Sequence, residues 1–151
     1  MFWPFMSRSV AEPCPPIGQY RIDMTIDGLH GLTPLSPEEL IALNSTLKFE
    51  DEQILHAPEA NFMDLQWDTI LGTVRGSIYK IAIQWIGPRD ETGKVYRDML
   101  IYCTKHYGKG KNMMQWNGSD GNIVVDSTNV GSEGILNVFV TSRRVGQFRR
   151  L

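Results

Sequence analysis

Residues 69–86 constrain the fold more than any other part of the chain. Thr69–Val74 and Ile78–Ile86 are runs rich in β-branched and aromatic residues, separated by Arg75-Gly76-Ser77, the sequence form of an antiparallel hairpin. In the second run Tyr79, Ile81, Ile83 and Trp85 alternate with Ile78, Lys80, Ala82, Gln84 and Ile86. Side chains along a strand point alternately to its two faces, so the four large residues predict a core face. Such a face has to be covered by another element, and one helical pattern is long enough to do it. Over Thr92–Tyr107, Val95, Met99, Tyr102, Cys103 and His106 recur at spacings of three and four, with Lys94, Arg97, Asp98 and Lys105 mostly off the stripe. Gly108 supplies the stop. The two stripes predict that Tyr79, Ile81, Ile83 and Trp85 meet Met99, Tyr102 and Cys103.

Three further strands are expected after the helix, at Met113–Trp116, Ile123–Ser127 and Ile135–Thr141. Asn117-Gly118-Ser119-Asp120-Gly121-Asn122 and Gly131-Ser132-Glu133-Gly134 provide the turns between them. Before residue 69, the alternation of Tyr20–Ile26 reads as a half-buried strand. Ser36-Pro37-Glu38-Glu39-Leu40 reads as the start of a short helix that ends near Asn44. Thr46–Asp68 is harder to assign. Lys48-Phe49 and Ile54–Ala57 form short strand candidates around the acidic turn Glu50-Asp51-Glu52, and Phe62, Leu65 and Trp67 are the contacts with the core. The fold class is therefore α+β: a mostly antiparallel sheet of five or six strands with one principal helix packed on one face. Residues 1–18, with four of the eight prolines, read as a flexible leader, residues 19–142 as a single domain, and residues 143–151 as a basic tail.

Gly72-Thr73-Val74-Arg75-Gly76-Ser77-Ile78-Tyr79-Lys80-Ile81, Tyr102-Cys103-Thr104, Tyr107-Gly108, and Trp116 with Ser119-Asp120-Gly121-Asn122 together resemble a small family of uncharacterised bacterial proteins. The resemblance covers about half the chain. Its motifs are turn glycines and core aromatics, so it implies a fold and assigns no activity and no site.

At 151 residues the chain buries enough surface for one core without staples. Its apolar runs are far shorter than the ~20 residues of a membrane-spanning helix. Two cysteines in a chain of this size more often stay reduced than paired, which points to the cytoplasm. The aromatic start, Met1–Arg8, has no basic residue ahead of its apolar part and is interrupted by Pro4, unlike a signal peptide. Phe2, Trp3 and Phe5 read as part of a tail rather than an interfacial anchor.

The usual chemical constellations are missing from the pattern. His30, His56 and His106 have no partner at a recognised metal spacing. Cys103 and His106, three apart on a helix, supply two ligands where a closed zinc site needs four. No metal or cofactor is expected. Cys103 lies on an apolar stripe, where burial makes a poor nucleophile. The segment Lys105–Lys111 lacks the spacing of a phosphate loop and follows a helix rather than preceding one. Asn117–Asn122 lacks the acids of a calcium loop. Glu38-Glu39 and Glu50-Asp51-Glu52 read as a helix start and a solvated turn.

Charge is the most uneven global feature. Residues 1–70 hold eleven acids and three bases, whereas residues 71–151 hold twelve bases and six acids. Four of those bases stand in the last nine residues. Arg143, Arg144, Phe148, Arg149 and Arg150 are accordingly the candidate partner-binding residues, with an acidic surface of the same or another chain as the expected partner. The function read from the sequence is binding to a protein partner or to a second copy, rather than catalysis. A small enzyme built from scattered residues such as Asp68, His106 and Tyr107 is the alternative, and a nucleic-acid-binding tail, which the pI of about 5.9 disfavours, is the third reading.

Overall fold

A computed structural model of the chain describes residues 12–112 and 114–151. Its elements are β1 (Thr33–Pro34), α1 (Pro37–Ala42), β2 (Glu52–Phe62), β3 (Leu65–Val74), β4 (Ser77–Pro88), α2 (Arg89–Tyr107), β5 (Gln115–Asn117), β6 (Gly121–Val130) and β7 (Glu133–Ser142), followed by a 3-10 turn over Arg143–Gln147. The strands form one sheet in the order β1-β2-β3-β4-β7-β6-β5, antiparallel at every junction. The sheet thus has seven strands rather than five or six. The excess lies in the first half of the chain, where β2 runs for 11 residues through a register shift between Ala57 and Ala60. Pro58 falls inside that shift, where a missing N–H interrupts no ladder. β1 adds two residues at the edge.

Local chemistry explains most boundaries. Met63-Asp64 and Arg75-Gly76 have positive φ at both positions, the two-residue turn whose twist matches a hairpin. Ser36 and Glu39 close a capping box on α1. β4 runs straight into α2 at Pro88–Arg89, and Gly108 (φ 82) ends the helix. No helix of the described residues is long and apolar enough to cross a membrane.

The principal helix, α2, lies over β7 and β4. Met99 and Cys103 are buried with Trp67, Leu71, Ile81, Ile83, Leu136 and Val138, while Trp85, Val95 and Tyr102 pack around them. Where the helix starts, Gly134 of β7 has no room for a side chain, because a Cβ there would overlap Thr92. The expected meeting of the two stripes holds with one exception, Tyr79. In the β3–β4 ladder Gly72 pairs with Lys80 but Thr73 pairs with Ile78, so Tyr79 is an extra residue at a bulge. The bulge reverses the alternation. Ile78 joins the main core, and Tyr79 turns to the opposite face and packs with Phe49 and Val74. Gly72 makes this feasible, since a Cβ there would stand 2.9 Å from the Tyr79 ring.

Two N-terminal expectations change. Tyr20–Ile26 is not a strand: Asp23 has φ 70, and the segment bonds irregularly to the start of β4, with Asp23 N–H to Ile78 O at 2.6 Å and Ile26 N–H to Gly76 O at 2.9 Å. Its alternation is real, because Tyr20 and Ile22 are buried, but the turn at Asp23 breaks the ladder. Of the expected leader, residues 12–18 pack on the domain, with Cys14 and Ile17 in the core. Met1–Ala11, including Phe2, Trp3 and Phe5, lie outside the described residues.

Candidate functional site

The five candidate residues of the tail are folded back on the domain. Phe148 meets Phe49 and Tyr79 edge-on, at centroid distances of 5.4 and 5.7 Å. Beneath these rings the buried Glu52 carboxylate accepts from Lys48 N–H (2.6 Å), Phe49 N–H (3.0 Å) and the Tyr79 hydroxyl. Burial, reinforced by that carboxylate, raises the Tyr79 phenol above its ordinary range. The tail backbone is paired as well, since Phe49 and Arg150 form an antiparallel bridge. Glu50 N–H donates to Arg149 O at 2.9 Å and Leu151 N–H to Lys48 O at 3.0 Å. The arginines contribute less. Arg149 stands 3.9 Å from Glu50 and Arg144 4.0 Å from Asp23, all four partly or largely exposed. Arg143 donates to Gly118 O, and Arg150 lies over the Phe49 ring. The charge asymmetry of the sequence thus brings bases of the second half beside acids of the first, but an aromatic cluster and a backbone bridge hold the tail.

The scattered catalytic residues do not converge. Asp68 alternates with the buried Trp67 and Thr69 of β3 and faces away from α2, whereas His106 and Tyr107 sit at the end of α2 on the other face. His106 is 3.2 Å from Glu12 and Tyr107 donates to Pro13 O at 2.9 Å, so both hold residues 12–18 in place. His56 pairs with Glu39 at 2.5 Å, joining α1 to β2. Burial raises the thiols of Cys14 and Cys103 from 9.0 to about 12, the opposite of what a nucleophile needs. No group of three metal-ligating side chains occurs among the described residues.

A different region presents unpaired binding groups. β5 pairs with only Asn122–Val124 of β6, and beyond it Val125 N–H donates to Met114 O at 2.9 Å. Backbone polar groups of an antiparallel strand point alternately to its two neighbours. Val125 points outward, so Ser127 and Asn129 do too, while Asp126, Thr128 and Val130 bond inward to β7 (Asp126↔Asn137, Thr128↔Ile135, Val130↔Glu133). The outward N–H and C=O groups of Ser127 and Asn129 have no strand opposite them among the described residues. Beside this edge, an open depression of about 650 Å³ lies between β6 and the first turns of α2. Its β6 side is Ser127 and Asn129, and its α2 side includes Arg89, Gly93, Tyr96 and Arg97. Neither arginine makes an ion pair among the described residues. Sequence reasoning missed this place because nothing in Asp126-Ser127-Thr128-Asn129-Val130 departs from an ordinary strand.

Compared with family models, curated proteins and solved structures, the chain matches none.

Proposed function

We propose that the protein acts by binding, and that it captures an extended segment of a protein partner as an eighth strand along the outer edge of β6. The observation that carries this reading is the free edge at Ser127 and Asn129, flanked by a groove. An exposed row of unpaired backbone groups is a template for another strand, which folded proteins usually cover or blunt. The opposite edge ends in the two-residue β1. At β6, by contrast, β5 covers only Asn122–Val124, and Asp126–Val130 have no strand opposite them on the outer side among the described residues. Main-chain bonds then supply affinity, and the adjoining groove supplies selectivity.

Selection of displayed random peptides on the full chain tests the reading, with Ser127→Pro as the counter-target. Proline removes an outward N–H without touching a bond to β7, so the variant should melt within a few degrees of the parent. Selected peptides should bind the parent, fail on Ser127→Pro, and slow amide exchange at Ser127 and Asn129. Peptides that bind both forms equally, or a selection that enriches nothing, would overturn the proposal.

A further inference from the structure

We infer that the captured segment alternates acidic and apolar side chains, with its acids facing Arg89 and Arg97 of α2 and its apolar residues facing the side of the sheet away from α2; this rests on the strand-addition reading above. The two faces of an added strand are fixed by its neighbour, since residues directly opposite each other on paired strands project to the same side. Residues opposite Ser127 and Asn129 therefore enter the groove beside α2. There the charged side chains are Arg89, Arg97 and Asp90, an excess of one positive charge, and the two guanidiniums lack carboxylate partners among the described residues. A guanidinium forks onto a carboxylate more readily than onto any other side chain. Gly93 puts no side chain into the groove, and a Cβ there would stand 3.9 Å from the Arg97 guanidinium.

The residue opposite Thr128 projects the other way. Thr128 pairs with Ile135, and Ile135 with Ile86, so these three side chains form a row across the face away from α2. Ile86 is 48% exposed, and Val130, beside the row on the edge strand, is 60% exposed. An apolar residue added opposite Thr128 extends this row and covers part of it. The recognition unit opposite Ser127, Thr128 and Asn129 is thus acid, apolar, acid.

A second copy of this chain fits less well. Antiparallel pairing of two β6 edges about Thr128 would place Ser127 opposite the Asn129 of the other copy and bring both Arg89–Arg97 sets to one junction, where like charges repel. It would also leave the guanidiniums without acids.

The test uses the full chain and two labelled peptides, Thr-Glu-Val-Glu-Val-Glu-Val-Thr and its counterpart with lysine for each glutamate, at low and high salt. The acidic peptide should bind about tenfold more tightly at low salt, a preference that shrinks as salt screens it. Arg97→Glu, at an exposed position, should reverse the order of the two peptides. Equal binding of both peptides that is lost on Ser127→Pro would overturn the charge inference while leaving strand addition intact. Failure of both peptides to bind, or binding indifferent to Ser127→Pro, would contradict the strand-addition reading itself. Protection of Ser127 and Asn129 amides that grows with protein concentration alone would put a second copy in place of the foreign segment.

Discussion

The C-terminal tail and the outer half of β6 make an instructive pair. Both are short, polar segments at the margin of the same sheet. The tail carries four arginines and an aromatic residue and looks like a binding element. Its backbone nevertheless bonds to Lys48 and Glu50, and Phe148 is spent on Phe49 and Tyr79. The β6 segment, Asp126–Val130, looks ordinary, yet Ser127 and Asn129 aim two donors and two acceptors outward, with no strand opposite them among the described residues. Side-chain charge shows where a partner is attracted. Whether the backbone is already paired decides where one can be held.

Both regions hang on one core, and the largest expected effect lies there. Ile83 is buried between α2 and its β7 partner Val138. Ile83→Ala should cost ~2–5 kcal/mol of stability. A loss below about 0.5 kcal/mol in a denaturant titration would show that α2 does not cover this face as described.

How far the sequence reached is clear from that same face. The periods of α2 and of β4 from Ile81 onward survive intact, because each is a regular stretch whose buried stripe is contiguous in sequence. Tyr79 departs because a bulge changes the face of a residue without changing its neighbours in the chain. β2 was legible only as fragments, since Pro58 and Glu59 interrupt an alternation that resumes at Ala60. Tyr20–Ile26 has a strand's alternation without a strand's backbone, because the positive φ of Asp23 is invisible in a pattern of polarity. The free edge of β6 was not legible at all. It exists because β5 begins only at Gln115, opposite Val124, and the length of one strand is not encoded in its neighbour.

The tail supplies the next effect in size. Phe148→Ala should lower stability by ~1–3 kcal/mol, since it removes a half-buried ring from two edge-on contacts. Arg149→Ala, by contrast, should cost at most ~0.5 kcal/mol, because its partner is exposed and distant. If the arginine proved the more costly loss, charge rather than the aromatic cluster would hold the tail, and the contrast with β6 would weaken.

Alkaline pH offers a milder perturbation with a definite sign. Burial raises the Cys14 and Cys103 thiols from 9.0 to about 12 and lifts the Tyr79 and Tyr107 phenols above their ordinary 10. A group whose folded pKa is raised contributes stability that is whole below its unfolded pKa and lost as pH climbs through the folded value. The melting temperature should therefore begin to fall above pH 9 and keep falling toward pH 12. All four groups lie in the core, under the tail or at residues 12–18, and none lines the β6 groove. A melting temperature unchanged across that range would show that these groups are not buried as described.

The most direct test of the central claim is amide exchange at Ser127 and Asn129 in the full chain, with and without the acidic peptide. Without peptide, both amides should exchange rapidly, while those of Thr128 and Val130, bonded to β7, are protected. With peptide, Ser127 and Asn129 should slow and Thr128 should not change. Protection of Ser127 and Asn129 in the free, dilute protein would contradict the account, because it would mean that the edge of β6 is already covered.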